Sequence, residues 1–320
     1  MSPFRSAVFA AFVLASAFTA HAAAPMVKSP PPGFFRMMLG DFEVTALSDG
    51  TADLPVDQLL TGTTKDKVDK TLAKSFLSSP LQTSVNAFLV NTGTKLVLID
   101  TGSGNLFGPT LGNLVKSLAA AGYKPEQVDE IYITHMHPDH VGGLATDGKP
   151  NFPNAIVRAD KHDADYWLSA ETLAKADEGS KGFVQGAQSM LGPYVQAGKF
   201  KPFEGDTELV PGVRAHAAYG HTPGHTVYVV ESNGQKLVLW GDLIHVAALQ
   251  FPDPSITIKF DSDSKAAMAQ RKKAFADASR NGYWVGAAHL PFPGLGHLVA
   301  EGKGYRFIPA NYSVIRAAAQ

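Results

Sequence analysis

The sequence of 320 residues contains no cysteine. This absence excludes thiolate nucleophiles, zinc–thiolate sites and iron–sulfur clusters, so any bound metal must be held by histidine and carboxylate. An excess of basic residues is also absent, since 28 lysine and arginine side chains face 29 acidic ones, for a formal net charge of -1. The sequence therefore lacks the broad positive field of a nucleic-acid-binding protein, and no nucleic-acid partner is expected.

Long apolar runs are absent except near the N-terminus. There Arg5 precedes an apolar run without acidic residues, and Ala-His-Ala at 20–22 has the small-x-small pattern of a cleavage site. We predict a signal peptide over residues 1–22, a secreted or periplasmic bacterial protein, and no membrane span after cleavage. A membrane anchor is the alternative, but the run is short for one. The proline-rich sequence that follows predicts an extended arm over residues 23–38, and then a single domain over 39–320.

Short apolar segments alternate with helical patterns along the domain. Strand-like runs lie at 42–47, 85–90, 96–99, 130–134, 155–159, 227–231, 237–240 and 283–287, and helical spacing at 111–121, 163–191 and 265–278. A Ser-Asp-Gly sequence at 48–50 predicts a turn after the first strand. The order predicts an α/β domain of two similar halves, with histidine and aspartate at the carboxyl ends of strands, where such folds place their active sites.

The strongest local signal is His-Met-His-Pro-Asp-His at 135–140, directly after a β-branched strand. Alternate residues of an extended chain point the same way, so His135 and His137 form one pair. The proline breaks the extended conformation and turns Asp139 and His140 toward a neighbouring position. Two ligand pairs predict two adjacent cations, and imidazole with carboxylate suits zinc or a similar divalent ion. A solvated, histidine-rich surface loop is the alternative.

Two cations need further ligands, and three other segments supply candidates. His-Thr-Pro-Gly-His at 221–225 places a histidine at each end of a tight turn. Asp242 follows an apolar strand and Gly241, and a carboxylate there can bridge two cations. His289 stands at the end of another strand. A lone histidine is more often structural, but together these segments repeat one pattern.

In combination these motifs resemble the metallo-β-lactamase superfamily over residues 85–289. The resemblance implies an αββα sandwich, in which two mixed β-sheets are flanked by helices. It also implies two divalent ions bridged by Asp242, with zinc expected and manganese, cobalt or iron as alternatives. By position in the motifs, one ion has the ligands His135, His137 and His221, and the other has Asp139, His140 and His289.

The resemblance implies further roles around the metals. Asp100, in Leu-Ile-Asp-Thr-Gly, resembles a buried acid that orients a ligand histidine, and His225 would also act from outside the coordination spheres. Two adjacent cations lower the pKa of a shared water, so the expected nucleophile is a metal-bridging hydroxide. Asp242, as the bridging ligand, holds that hydroxide in place, and we assign no separate general base.

Later stretches, at 261–265, 271–277 and 302–307, resemble a narrower group: methyl parathion hydrolase and the related aryl-lactone (dihydrocoumarin) hydrolases. Members are exported, binuclear and typically dimeric, so a homodimer is expected. The organophosphate-degrading members carry leucines at the positions of His245 and Phe260, and a basic residue at that of Leu60. The substrate-pocket positions of the group correspond here to Phe107, Trp167, Phe183, His245, Ile258 and Phe260.

These differences bear on the substrate. His245 and Phe260 are expected to narrow the space for a tetrahedral phosphotriester, whereas a planar aryl lactone still fits between aromatic rings. We therefore predict an aryl lactonase or arylesterase acting on a small uncharged aromatic substrate, with organophosphate triester hydrolysis as the alternative. A β-lactamase and a non-enzymatic periplasmic metal-binding protein are more distant alternatives. The last gives no reason for ligands dispersed over several strand ends.

Overall fold

A computed structural model provides the structure of the chain. It describes residues 24–29, 31, 33–312, 314 and 315, so the expected signal peptide lies outside the described residues. The chain divides into two compact units, Met1–Pro31 and Pro32–Gln320. The described residues of the first unit form neither helix nor strand. None of the helices described is both long and apolar enough to cross a bilayer.

The second unit alternates strands and helices. Its strands are β1 (Phe34–Leu39), β2 (Phe42–Leu54), β3 (Leu60–Thr61), β4 (Leu81–Asn91), β5 (Leu96–Ile99), β6 (Glu130–Tyr132), β7 (Ala145–Thr146), β8 (Lys149–Pro150), β9 (Ile156–Arg158), β10 (Thr207–Val210), β11 (Val213–Ala217), β12 (Thr226–Ser232), β13 (Gln235–Leu239), β14 (Thr257–Ile258), β15 (Trp284–Gly286), β16 (Leu295–Glu301) and β17 (Gly304–Pro309). Its helices are α1 (Val56–Leu59), α2 (Lys65–Lys74), α3 (Leu114–Ala120), α4 (Pro138–Val141), α5 (Lys161–Trp167), α6 (Ala170–Lys175), α7 (Glu178–Gln196), α8 (Ala247–Gln250) and α9 (Ser264–Asn281), with a 3₁₀ turn at Pro125–Gln127.

Local signals account for several element ends. Helix α9 begins where the Asp263 carboxylate accepts the backbone N–H groups of Lys265 and Ala266, and it ends at Gly282, whose φ of 65° is left-handed. The hairpin between β12 and β13 turns at Asn233 and Gly234, both with positive φ. Both features agree with the predicted helix and hairpin in this region.

Two mixed sheets form the centre of the fold. The first has the strand order β1-β2-β4-β5-β6-β9 and the second β10-β11-β12-β13-β15-β16-β17. Strands β5, β6 and β9 run parallel, as do β13 and β15, and the other pairs within the two sheets are antiparallel. Two-stranded ladders join β3 to β14 and β7 to β8.

The buried side chains fall into layers that follow the two sheets. One cluster lies between the sheets and includes Phe88 from the first and Tyr228 from the second. A second cluster packs α3, α5 and α7 on the outer face of the first sheet, and a third packs α9 on the second sheet through Phe275 and Trp240. The layers are therefore helix, sheet, sheet and helix, as the resemblance to the superfamily implied.

The turn predicted at residues 48–50 is wrong, because β2 continues through it to Leu54 with a bulge between Ser48 and Gly50. Asp49 is buried there, and its carboxylate accepts the backbone N–H groups of Ser103, Gly112 and Leu114 at 2.9 to 3.0 Å. The aspartate thus anchors a distant loop instead of forming a local turn. The first sheet also begins at Phe34, so residues 34–38 belong to it and not to the arm.

Candidate metal centre

Three imidazole nitrogens converge at the end of the first sheet. The nitrogen His135 Nε2 lies 3.0 Å from His137 Nδ1, and His221 Nε2 lies 3.2 and 3.1 Å from these two atoms. Oxygen Oδ2 of Asp242 is 3.3 Å from His221 Nε2. A tetrahedral zinc ion with bonds of roughly 2.0–2.1 Å separates its ligand atoms by about 3.3 Å. The four residues therefore fit one cation.

A second group lies beside the first. One ligand atom from each of Asp139, His140 and His289 lies within 4.8 Å of the others. His140 Nε2 faces Asp242 Oδ1 at 3.2 Å, but both atoms are buried and neither has a hydrogen-bond partner in the described part of the chain. A cation between them would satisfy both atoms. The structure thus brings together all seven proposed ligands, with Asp242 between the two groups.

The local chain conformation explains how the motif at 135–140 serves both groups. His137 is extended, with ψ of 153°, and Pro138 then begins α4, so Asp139 and His140 point elsewhere than the first two histidines. Close packing beyond the motif needs glycine: a Cβ atom on Gly142 would lie 2.0 Å from the backbone oxygen of Ser103.

In two of the candidate ligands, the ring nitrogen that faces away from the cluster contacts a carboxylate oxygen. Asp100 Oδ2 lies 2.8 Å from His140 Nδ1, and Asp261 Oδ1 lies 2.8 Å from His221 Nδ1. Such contacts orient a ligand imidazole and raise its basicity. Asp100 stands where the resemblance implied, whereas the sequence did not indicate a role for Asp261, which is 40 residues from its partner.

His225 is placed differently from the ligands. Its Nδ1 donates to the backbone oxygen of Ala218 at 3.3 Å, and its Nε2 accepts the backbone N–H of Asp242 at 3.0 Å. Both nitrogens are thus used without a metal. Burial lowers the pKa of His225 to about 3, so the ring is neutral, as this pair of hydrogen bonds requires. The residue positions Asp242 from outside the cluster.

Asp163 is a second residue that the sequence did not indicate. Its buried carboxylate accepts the backbone N–H of Met136 at 2.9 Å and that of Gly224 at 2.6 Å. It therefore ties the loop of His135 and His137 to the turn that carries His221. Burial raises the pKa of Asp163 to about 6 despite these hydrogen bonds.

The charge of each ligand in the cluster depends on its neighbours. Against the effect of burial, nearby carboxylates raise the pKa of three ligand histidines, which would lose a proton when a cation binds: His140, His221 and His289. Burial is the main reason that the pKa values of His135 and His137 lie well below the usual range, so both rings are neutral and offer lone pairs. Burial would raise the pKa of Asp242, but the neighbouring histidines, His289 first, hold it well below its usual range. Neutral imidazole with ionised carboxylate is the state that binds divalent metals.

A cavity of about 210 Å³ opens directly above these groups. Four of the predicted substrate residues line it: Phe107, Phe183, His245 and Phe260. The other lining residues are Ala52, Leu54, Thr83, Val85, Leu111, His137, Asp139, Asp242 and His289.

Two predicted pocket residues, Trp167 and Ile258, do not line this cavity. The Trp167 ring is buried and packs edge-on against His137, with centroids 5.2 Å apart, so it supports a candidate ligand from behind. Ile258 pairs with Leu60 in the ladder of β3 and β14, and both side chains are buried there. A position in a motif did not reveal which way these side chains point.

Comparison with known proteins agrees with this geometry. Residues 81–299 match the family model for the metallo-beta-lactamase superfamily. This chain belongs to the metallo-β-lactamase superfamily. It is 38% identical to AbOPH, a hydrolase in the beta lactamase superfamily, whose crystal structure superposes with a TM-score of 0.85 over 89% of this chain and 100% of that chain.

Two relatives in the superfamily are lactonases. AidC, a dizinc quorum-quenching lactonase, is 29% identical to this chain with a TM-score of 0.81, over 88% of this chain and 99% of that one. An N-acyl homoserine lactonase of Bacillus cereus is 27% identical over 264 residues, which are 77% of this chain and 92% of the relative. The predicted superfamily, its fold and a metal-dependent hydrolase are therefore confirmed.

Proposed function

We propose that this metallo-β-lactamase superfamily member is an aryl lactonase or arylesterase for small uncharged substrates of the dihydrocoumarin type. The observation that carries the proposal is the cavity above the candidate metal centre. Its described lining is apolar and aromatic, apart from the candidate ligands, Thr83 and His245, and includes no lysine or arginine. Such a lining offers no basic side chain to pair with a substrate carboxylate, as a β-lactam would need, but buries a neutral ring well.

The aromatic residues supply the orientation. Phe107 and Phe183 meet edge to face with centroids 5.8 Å apart, and Phe183 in turn contacts the His137 ring at 5.5 Å. Phe107 is 39% exposed and stands at the mouth of the cavity. A flat aryl ring packed against these two rings would have its ester group close to the candidate ligands that line the same cavity.

The chemistry needs few other side chains. When two divalent cations are bound, they lower the pKa of water and polarise a carbonyl oxygen. Asp242 and Asp139 line the cavity and place two carboxylates beside the proposed cations. The phenylalanine rings exclude bulk water from the cavity. A phenolate leaving group needs no proton from a side chain, so this reaction requires no general acid.

The size of two side chains in one wall of the cavity favours planar esters over phosphotriesters as substrates. The rings of His245 and Phe260 lie 6.2 Å apart and both line the cavity. A tetrahedral phosphorus centre with three substituents needs more width above the metals than a planar lactone does. Organophosphate triester hydrolysis is therefore proposed only as a weaker alternative.

N-Acyl homoserine lactones are a second candidate substrate. The names of AidC and of the Bacillus cereus relative support a lactone. Aliphatic lining residues, among them Leu54, Val85 and Leu111, would accept an acyl chain. Both candidates are lactones, and they differ in whether the apolar part is a fused ring or a flexible chain.

A substrate panel tests the proposal. The purified, zinc-loaded protein is assayed with dihydrocoumarin, phenyl acetate, N-hexanoyl homoserine lactone, methyl parathion and a β-lactam. We expect the highest kcat/KM for dihydrocoumarin, the acyl lactone next, and little turnover of the last two. A kcat/KM for methyl parathion above that for both lactones would contradict the proposal.

Paired phenylalanine variants separate the aromatic contact from general effects. Phe107→Ala removes a ring at the mouth of the cavity and should lower kcat/KM for dihydrocoumarin roughly 5-fold, as loss of an aromatic contact of about 1 kcal/mol implies. Phe76→Ala removes a ring that is 99% exposed and lies outside the cavity lining, and it should have no effect. Equal effects of the two variants would count against ring recognition.

Export belongs to the same proposal. It rests on the basic residue, apolar run and Ala-His-Ala pattern of residues 1–22. Expression of the full chain in a Gram-negative host should place a protein shortened by about 22 residues in the periplasmic fraction. Full-length protein confined to the cytoplasm would contradict export.

A further inference from the structure

His245 is a buried histidine that the metal-binding motifs do not include. Its Nε2 lies 3.1 Å from Oδ2 of Asp242, and Nε2 of His289, a proposed ligand, lies at the same distance from that oxygen. The two imidazole rings stack with centroids 5.2 Å apart and planes inclined by 19°. His245 therefore presents a nitrogen to the bridging carboxylate in the way that a proposed ligand does.

These three residues form a complete donor set. Single ligand atoms of Asp242, His245 and His289 all lie within 4.8 Å of one another, and the three side chains are buried. The set of Asp139, His140 and His289 meets the same condition. Both sets use Nε2 of His289, and a neutral imidazole nitrogen has a single lone pair for one ion. The two sets therefore exclude each other.

We propose that His245 is an additional metal ligand, and that Asp242, His245 and His289 form an alternate position for the divalent cation that Asp139, His140 and His289 hold. The cation in the set of His135, His137 and His221 keeps these three ligands and shares Oδ2 of Asp242 with the alternate position. The second cation thus has two positions that share Nε2 of His289, and the Asp242 carboxylate lies beside both.

The environment of His245 agrees with an exchangeable ligand. Nδ1 of His140, His221 and His289 each lies within 2.9 Å of an oxygen atom, which fixes those rings. His245 Nδ1 is buried and has no such partner within the described ranges. Its backbone N–H donates to Gln250 Oε1 at 2.8 Å, which fixes the position of the residue. The ring itself makes a polar contact only through Nε2 within the described ranges.

Anomalous diffraction tests the position directly. Crystals of the full chain loaded with zinc are measured on both sides of the zinc absorption edge. We expect an anomalous peak within about 2.0–2.1 Å of His245 Nε2, at full or partial occupancy, in addition to the ion at His135, His137 and His221. Peaks that all lie more than about 3 Å from Nε2 would overturn the proposal, because His245 would then act only as a hydrogen-bond donor to Asp242.

A solution measurement adds a matched pair of variants. In competition with a chelator, His245→Leu should weaken binding of the second zinc ion by a factor set by the share of that ion found at His245, about twofold when the share is half, and leave binding of the first ion unchanged. His216→Leu changes a partly exposed histidine whose Nδ1 contacts Asp206 and which belongs to neither ligand set, so it should change the affinity for neither ion. Equal affinities for His245→Leu and the wild type would overturn the proposal. Neither experiment uses a substrate, so their results do not depend on whether the protein hydrolyses lactones. If the His245→Leu variant does not fold, diffraction from the wild type still tests the proposal.

Discussion

The carboxylate of Asp163 accepts the backbone N–H of Met136, the residue between two proposed metal ligands, at 2.9 Å. Its other oxygen accepts the N–H of Gly224 at 2.6 Å, in the turn that begins with His221. One buried side chain therefore joins the two loops that carry all three histidines of one proposed cation. Asp163 is not a proposed ligand, but by joining the two loops it keeps the three imidazole nitrogens close to one another.

Asp163→Asn is expected to weaken binding of the zinc ion that His135, His137 and His221 would hold. The amide has one acceptor oxygen, so one of the two backbone N–H groups faces an NH₂ group and the loops separate. We expect a roughly 10- to 100-fold loss of zinc affinity, which is the usual effect of removing a residue that supports a metal ligand. Chelator competition measures it. Asp165→Asn changes an exposed aspartate on the same helix and is the control. Equal affinities in the two variants would show that the hydrogen bonds of Asp163 do not support the zinc site.

The neutral ring of His225 predicts a pH-dependent stability. Burial lowers the pKa of His225 to about 3, whereas histidine in an unfolded chain titrates near 6.5. Between these values the unfolded state binds the extra proton. This histidine's contribution to stability is therefore complete above about pH 6.5 and is lost as the pH falls toward 3.

His225→Gln isolates this contribution, because the amide oxygen still accepts the Asp242 N–H but does not titrate. Between about pH 4 and 6, the free energy of unfolding should depend on pH less steeply than in the wild type, by roughly 1.4 kcal/mol per pH unit. Urea unfolding of the metal-free protein gives both slopes. Identical slopes for His225→Gln and the wild type would refute the neutral, buried ring.

Close packing after the ligand motif predicts opposite outcomes for two glycines. A Cβ atom on Gly142 would lie 2.0 Å from the Ser103 oxygen, so Gly142→Ala should destabilise the protein by about 1–3 kcal/mol and displace the chain next to His140. Gly182 is exposed in helix α7 with no atom within 4 Å of such a Cβ, so Gly182→Ala should stabilise by about 1 kcal/mol. Urea unfolding measures both, and a neutral Gly142→Ala would contradict the packing.

The sequence predicted the parts of the site that depend on short spacing. The motif at 135–140 follows a strand and contains a proline, so the direction of each side chain follows from local geometry. The partners of the ligands do not follow from it. Asp163 and Asp261 lie 27 and 40 residues from the groups they hold, and only the packing of the two sheets brings them there.

Local patterns failed where tertiary contacts override them. Ser-Asp-Gly at 48–50 has the composition of a turn, yet the Asp49 carboxylate is satisfied by backbone N–H groups 54 to 65 residues away, and the strand continues. Trp167 and Ile258 were expected in the substrate pocket, but their side chains pack behind His137 and against the ladder with Leu60. Side-chain direction at such positions depends on packing that spacing does not encode.

Zinc titration of the metal-free protein tests the central claim most directly. Protein stripped by a chelator is titrated with zinc while dihydrocoumarin hydrolysis is followed, and bound zinc is counted by native mass spectrometry. The binuclear centre predicts no hydrolysis without metal and a maximum rate only when two ions are bound per chain. Hydrolysis by the stripped protein, or a maximum rate at a single bound ion, would contradict it.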